Sequence, residues 1–307
     1  MKVVVTGGAG FIGANLCRVL AQAGHEVLAF DDLSTGAAAN LDGVEAALVE
    51  GTILDPGALD AAFDGAGAVV HLAARPSVPR SIADPLASHE VNATGTMQVL
   101  EAVRRGSGAH VIVASSSSVY GANPGIPKSE DLVPIPMSPY AASKLAAESY
   151  ALADAASFGI DVLVFRFFNV FGPLQTAGHA YAAVVPAFVD AALAGAPLPV
   201  FGDGRQTRDF TFVGTVTAVL ANAVDRRLTS ERPVNLAFGS RVSLLDVVAL
   251  LGTILGRELD LDFGPARVGD VRDSQADQTR LRSLFPDVEP TALEAGLRAT
   301  VDWFRNR

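Results

Sequence analysis

Lys2-Val-Val-Val-Thr-Gly-Gly-Ala-Gly-Phe-Ile-Gly13 decides the fold. The β-branched run at its start favours a strand, and an apolar helical segment follows the glycines as far as Ala23. Gly7, Gly10 and Gly13 stand at that junction in a spacing variant of the dinucleotide fingerprint. Glycine lets the turn adopt positive φ and lets backbone N–H groups approach a pyrophosphate, whose charge the helix N-terminus favours. Gly7, Gly10, Phe11, Ile12 and Gly13 are therefore candidate cofactor contacts. A glycine triplet alone fits an ordinary turn. The strand before it and the helix after it favour the ligand reading.

Working outward, a second strand at residues 27–30 ends in Asp31-Asp32, about twenty residues beyond the glycines, where an acid hydrogen-bonds ribose hydroxyls. A carboxylate there repels a 2′-phosphate, so the expected cofactor is NAD rather than NADP, with Asp31 the stronger candidate and Asp32 the second. Strands at 47–53 and 68–72 flank a helix at 55–63, and the fourth strand runs into Leu72-Ala73-Ala74, small enough to lie against the dinucleotide. His71 reads as a packed strand-end histidine. A loop at 75–81 carries two arginines and two hydroxyls, among them Ser77, and a long helix over 84–105 includes Asn92. A fifth strand, 110–114, delivers Ser115-Ser116-Ser117-Ser118, poor strand material unless it faces a polar site. The alternation predicts an α/β, Rossmann-type doubly wound parallel sheet.

Composition narrows the class. Half of the 307 residues are apolar, 18% are charged and the formal net charge is −10. That disfavours a nucleic-acid footprint or a membrane-surface patch. The single Cys17 lies in an apolar helical run, which excludes a disulfide framework and fits a reducing cytosol. No apolar run approaches a membrane span and Met1-Lys2 leads straight into a strand, so a cytoplasmic protein is expected. No metal-ligand spacing is present.

Ser138-Pro-Tyr-Ala-Ala-Ser-Lys144 carries the chemistry. Tyr140 and Lys144 fall at i and i+4 of a helix-forming run that extends to Phe158, on one face. A cation so placed favours the phenolate and lowers the tyrosine's pKa toward neutrality, making Tyr140 a general base. A surface Tyr/Lys pair is the bland alternative. Only three lysines and four tyrosines occur in the whole chain, which argues against chance.

With the glycine turn, the serine run before Val119-Tyr-Gly121 and Tyr140-x3-Lys144 in order, the chain resembles the extended short-chain dehydrogenase/reductase superfamily, in particular its nucleotide-sugar 4-epimerases. The likeness continues through Arg166-Phe-Phe-Asn169, Arg208-Asp-Phe210 and Arg267-Val-Gly-Asp270. It implies Ser116 as the hydroxyl assisting proton transfer at the sugar C4, Tyr140 as base and Lys144 on the nicotinamide ribose. Asn92 joins the implied cofactor contacts, and Asn169, Arg208 and Arg267 would hold a diphosphate. Ser117 and Ser118 stand where related dehydratases and decarboxylases carry carboxyls, which argues against those reactions. Ser274 matches a gate position that is large and aromatic in enzymes restricted to plain hexoses. With Ser77 it points to UDP-N-acetylhexosamines, with UDP-glucuronate and UDP-glucose epimerases as neighbours. A net oxidoreductase, 4-ketoreductase or dehydratase on the same scaffold and a non-catalytic NAD-binding regulator are the other readings.

The resemblance also implies a homodimer through the helices at 84–105 and 140–158. Thr52 and Gly214-Thr215 depart from the pattern, at an adenine contact and after Asp209-Phe-Thr-Phe-Val213 respectively. The expected division is an NAD-binding domain at 1–165 and a mainly nucleotide-sugar-binding lobe at 166–307, with crossovers back to the first. In that lobe, helices are expected at 184–194, 213–227, 243–255 and 291–305, and strands at 198–201 and 234–238. Ser243 and Asp246 resemble a capping box.

Overall fold

The structure, a computed structural model, describes residues 1–106, 108–177, 183–265 and 272–307. Elements follow in the order β1 (Lys2–Thr6), α1 (Phe11–Gln22), β2 (Glu26–Asp31), β3 (Ala46–Glu50), α2 (Pro56–Phe63), β4 (Ala68–His71), α3 (Val78–Ala83), α4 (Pro85–His89), α5 (Gly95–Arg105), β5 (His110–Ser116), α6 (Pro139–Phe158) and β6 (Val162–Phe167). After them come β7 (Val170–Phe171), α7 (Val184–Ala194), β8 (Leu198–Phe201), β9 (Thr207–Arg208), β10 (Thr211–Phe212), α8 (Val213–Arg226), β11 (Val234–Leu236), β12 (Val242–Ser243), α9 (Leu244–Leu255), β13 (Leu261–Gly264), α10 (Thr279–Leu284) and α11 (Leu293–Asn306).

The seven-stranded sheet has the order β11-β6-β5-β4-β1-β2-β3. Its paired neighbours from β3 to β6 are parallel. This is the expected doubly wound arrangement, whose order reverses between β1 and β4. Val3, Val4, Val5, Val69, Val70, Val111 and Val113 are wholly buried, as befits strands covered on both faces. Local chemistry sets the helix ends. Ser138 caps α6 by accepting from Ala141 N at 3.1 Å, Pro139 fills its first position, and Gly159 closes it at φ +69°. Ser243 and Asp246 form the capping box of α9.

The helix expected over 84–105 is broken. Asp84 lies outside helical space at φ −145° because Pro85 follows it, and its side chain caps α4 instead. A π-helical turn, Glu90–Thr94, then separates α4 from α5.

The chain divides into two compact units: Met1–Gly121, Val133–Phe167 and Thr217–Val234 form one, and Ala122–Leu132, Phe168–Val216 and Asn235–Arg307 the other. In the second, α7, α9 and α11 bury Phe188, Val189, Val247, Leu251, Leu297 and Val301 with Phe171, Leu198 and Val200. Its strands pair two by two: β7 with β10 and β8 with β13 in parallel, β9 with β12 antiparallel. Among the described residues, no helix is long and apolar enough to cross a membrane.

Candidate active site

The glycine turn is tight. Gly7 sits at φ +71°, and a Cβ there would meet Ala73 N at 2.7 Å; one on Gly13 would meet Gly7 O at 2.0 Å. Neither position accepts any other residue. Gly10 precedes α1 and brings no side chain to cap it, so the first-turn N–H groups of Phe11 and Ile12 suit an anion. Asp31 Oδ2 accepts from Ala9 N at 2.9 Å and Oδ1 from Leu33 N at 2.8 Å. Asp31 is buried and Asp32 exposed, turned to Ser34 N and Oγ. Burial pushes the Asp31 carboxyl up, and the backbone donors oppose that. Turn, helix start and acid together fit a dinucleotide. Leu72, Ala73 and Ala74 leave β4 beside this turn, partly buried.

Behind it, Thr6 Oγ1 lies 2.7 Å from His71 Nδ1, and His71 Nε2 lies 3.0 Å from Thr96 Oγ1. Burial, seconded by the charge of Lys144, pulls His71 down to about 3, so the imidazole is neutral. It is a packing residue that ties β1 and α5 to β4.

Ser116 ends β5 and forms a hydrogen bond with Tyr140 on α6. Ser118 N donates to Ser116 Oγ at 3.2 Å, and Ser118 Oγ at 2.9 Å. Both lone pairs of Ser116 are thereby engaged, so its proton is left for the phenol oxygen. Ser117 opens the 3-10 turn that follows, partly buried.

Lys144 Nζ donates to Ala114 O at 2.9 Å, and burial brings its ammonium down to about 8. Tyr140 does not follow the expectation from sequence. Its phenol is pushed above the ordinary value by burial, with the Ser116 hydrogen bond opposing. Lys144 is buried and Tyr140 partly so, which disfavours the charged form of each, and the lysine is tethered to β5.

A polar cluster lies beneath this pair. Ser115 Oγ donates to Glu148 Oε2 at 2.8 Å, and Arg166 grips the same carboxylate through Nε at 2.9 Å and Nη2 at 2.5 Å. The guanidinium stands 4.7 Å over the Tyr120 ring. Glu148 and Arg166 are 3% and 2% exposed, too deep to be incidental. Sequence reasoning passed over Glu148, although a glutamate one turn past Lys144 was the available signal.

Asn92 sits in the π-helical turn and is wholly buried. Its Oδ1 accepts from Arg75 N at 2.7 Å, while Nδ2 donates to Arg75 O at 3.2 Å and Ser143 Oγ at 3.0 Å. Ser143 Oγ donates in turn to Tyr140 O at 2.8 Å. Asn92 therefore clasps the 75–81 loop to the helix carrying Tyr140. Ser77 starts α3 at φ +99°, its Oγ accepting from Arg80 N at 3.4 Å.

In the second unit, Asn169 Nδ2 donates to Asp209 O at 3.1 Å. Arg208 Nη1 reaches Thr207 O at 2.8 Å and Arg272 O at 3.2 Å, and Ser274 N donates to Thr207 O at 3.1 Å. Asn169, Arg208 and Ser274 thus gather about one short stretch. Arg267 lies outside the described residues. Thr52 Oγ1 accepts from Leu54 N at 3.3 Å and serves a local turn, whereas Thr215 Oγ1 accepts from Thr291 N at 3.0 Å and ties the start of α8 to the chain ahead of α11.

The family described as NAD dependent epimerase/dehydratase matches residues 3–237. The chain is 37% identical to a UDP-glucose 4-epimerase of Mycolicibacterium smegmatis, over 100% of this chain and 99% of that one. The solved UDP-N-acetylglucosamine 4-epimerase of Methanobrevibacter ruminantium, in complex with UDP-N-acetylmuramic acid, superimposes with a TM-score of 0.93 at 33% identity, covering 99% of this chain and 98% of that one. The UDP-glucuronic acid 4-epimerase of Bacillus cereus, in complex with UDP-glucuronic acid and NAD, gives 0.90 at 30% identity, covering 100% and 99%.

Proposed function

The chain belongs to the NAD-dependent epimerase/dehydratase family, and from that premise we propose that it is a UDP-sugar 4-epimerase interconverting UDP-N-acetylglucosamine and UDP-N-acetylgalactosamine, with UDP-glucose and UDP-galactose as a secondary pair. The observation that carries the chemistry is the Ser118–Ser116–Tyr140 chain, which aims a single hydroxyl proton at the phenol oxygen.

Tyr140 takes the C4 hydroxyl proton, directly or through Ser116, and gives it back on the return step. Tyr140 must be a phenolate to take that proton, and the Ser116 hydrogen bond favours this form. Lys144, from a backbone carbonyl perch, supplies positive charge near the same oxygen and a donor to the nicotinamide ribose. The glycine turn and Asp31 would hold NAD, which would supply a reversible hydride acceptor for the sugar C4. Between the two proton transfers the 4-keto sugar turns over about its diphosphate, which Asn169, Arg208 and Arg267 grip; arginine suits phosphate oxygens. Ser117 and Ser118 provide no carboxyl for dehydration or decarboxylation, and Ser274 leaves room for an N-acetyl group.

A UDP-glucuronate 4-epimerase is the second reading, favoured by the likeness to the Bacillus cereus enzyme. Exposed apolar side chains on the helices of the first unit, Leu86 at 80% and Phe158 at 57%, support the homodimer implied by resemblance. The buried, unpaired Cys17 fits a cytoplasmic setting. Proton NMR of UDP-GlcNAc, UDP-glucose and UDP-glucuronate incubated separately with the purified protein tests the assignment. A C4 epimer formed fastest from UDP-GlcNAc is expected; no epimer from any sugar, even with added NAD, overturns it.

A further inference from the structure

The second unit contains a buried carboxylate that the reaction does not use. Asp209 is wholly buried. Its Oδ2 accepts from Gly239 N and from Ala276 N, each at 3.0 Å. Its Oδ1 accepts from Ser240 N at 3.1 Å and Ser240 Oγ at 2.8 Å. Its own backbone oxygen receives Asn169 Nδ2 at 3.1 Å. One residue therefore gathers the chain at 169, at 239–240 and at 276. The four side-chain bonds all come from neutral donors, which compensate a desolvated anion only while every one is made.

The segments so gathered are the ones that carry the diphosphate and sugar candidates. Asn169 bonds to Asp209 directly, at a positive φ of 28° that its side-chain bond helps to hold. Arg208 is the neighbouring residue, and Ser274 precedes Ala276 by two. Between them, Ser274 N donates to Thr207 O, and Thr207 Oγ1 donates to Asp273 Oδ1 at 2.6 Å. Two-residue strands cannot set such spacings by themselves.

On the UDP-sugar reading, we infer that Asp209 is the positioning residue of the nucleotide-diphosphate subsite, fixing Asn169, Arg208 and Ser274 relative to one another without touching the ligand. Its isosteric replacement separates this role from simple packing. Asp209→Asn keeps the volume but turns one acceptor edge into an NH2 that faces two N–H or O–H donors. One of the clasped segments must then let go.

The test is calorimetric titration of UDP into the NAD-loaded protein, with turnover and NAD content measured on the same samples. Loss of buried charge-assisted bonds predicts UDP binding weakened about tenfold in Asp209→Asn, a matching rise in KM, and kcat and NAD content unchanged. Ser240→Ala removes a single donor and should weaken UDP binding about threefold, which keeps the inference open to refutation if Asp209→Asn does not fold. A folded Asp209→Asn, or a Ser240→Ala, that binds UDP like the parent overturns the inference alone. So does a fall in kcat at constant KM. Failure of the parent protein to bind UDP overturns the UDP-sugar reading and takes the inference with it.

Discussion

Glu148 and Asp209 are both buried carboxylates, one in each unit, and they are stabilised in opposite ways. Glu148 lies between two regular elements, where it meets a guanidinium and a hydroxyl. Asp209 lies where the chain is irregular and collects four neutral donors from two other segments. Where a parallel ladder already sets the spacing, as Ser115 against Arg166 does, the carboxylate need only lock helix to strand. Where no ladder exists, the carboxylate stands in for one.

On the proposed function, chemistry belongs to the first unit and nucleotide grip to the second, and the sharpest way to break that division is Tyr140→Phe. Turnover should fall by about a thousandfold, within the range of a lost acid–base group, while UDP affinity by calorimetry stays at the parental value. Loss of both together would dissolve the division.

Glu148→Gln comes next. It leaves the Arg166 guanidinium buried without its counter-charge, so urea unfolding should show a loss of about 3–5 kcal/mol. Asp209→Asn, with no buried cation to orphan, should cost about 1–3 kcal/mol. Equal costs would mean that the two carboxylates are held alike after all.

A smaller effect belongs to acid. His71 is held neutral in the fold, at about 3, while the unfolded chain takes up a proton near 6.5. Between those limits the unfolded state binds more protons, so stability falls as pH falls, by about 1.4 kcal/mol per unit. Between pH 6.5 and 5 the parent should lose roughly 2 kcal/mol more than His71→Gln by urea titration. Parallel curves would place the acid sensitivity elsewhere.

The mildest expectation concerns Ser274→Tyr. Activity on UDP-GlcNAc should drop about tenfold, in keeping with the loss of a fitted pocket, and that on UDP-glucose should be spared. Equal loss on both sugars, read by the NMR assay, would remove Ser274 from substrate choice.

What could be read in the sequence follows the same line between regular and irregular chain. Buried parallel strands such as Val3-Val4-Val5 and the glycine turn announce themselves locally, because their composition is dictated by immediate neighbours. Helix α7 was placed with its observed ends for the same reason, bounded by Gly195 at φ +69°. Strands of two residues carry no period, so β7, β9, β10 and β12 had no signature. The break at Asp84-Pro85 was legible from the proline, but the π-helical turn around Asn92 depends on contacts with Arg75 and Ser143, the latter far along the chain. Glu148 and Asp209 acquire their partners only in space. The lysine's effect on Tyr140 was misjudged because sequence spacing says which groups share a helix face and nothing about how much water reaches them.

Ser116 has two lone pairs, and Ser118 occupies both. A sugar hydroxyl that is to hand its proton along through Ser116 must first evict one of those donors.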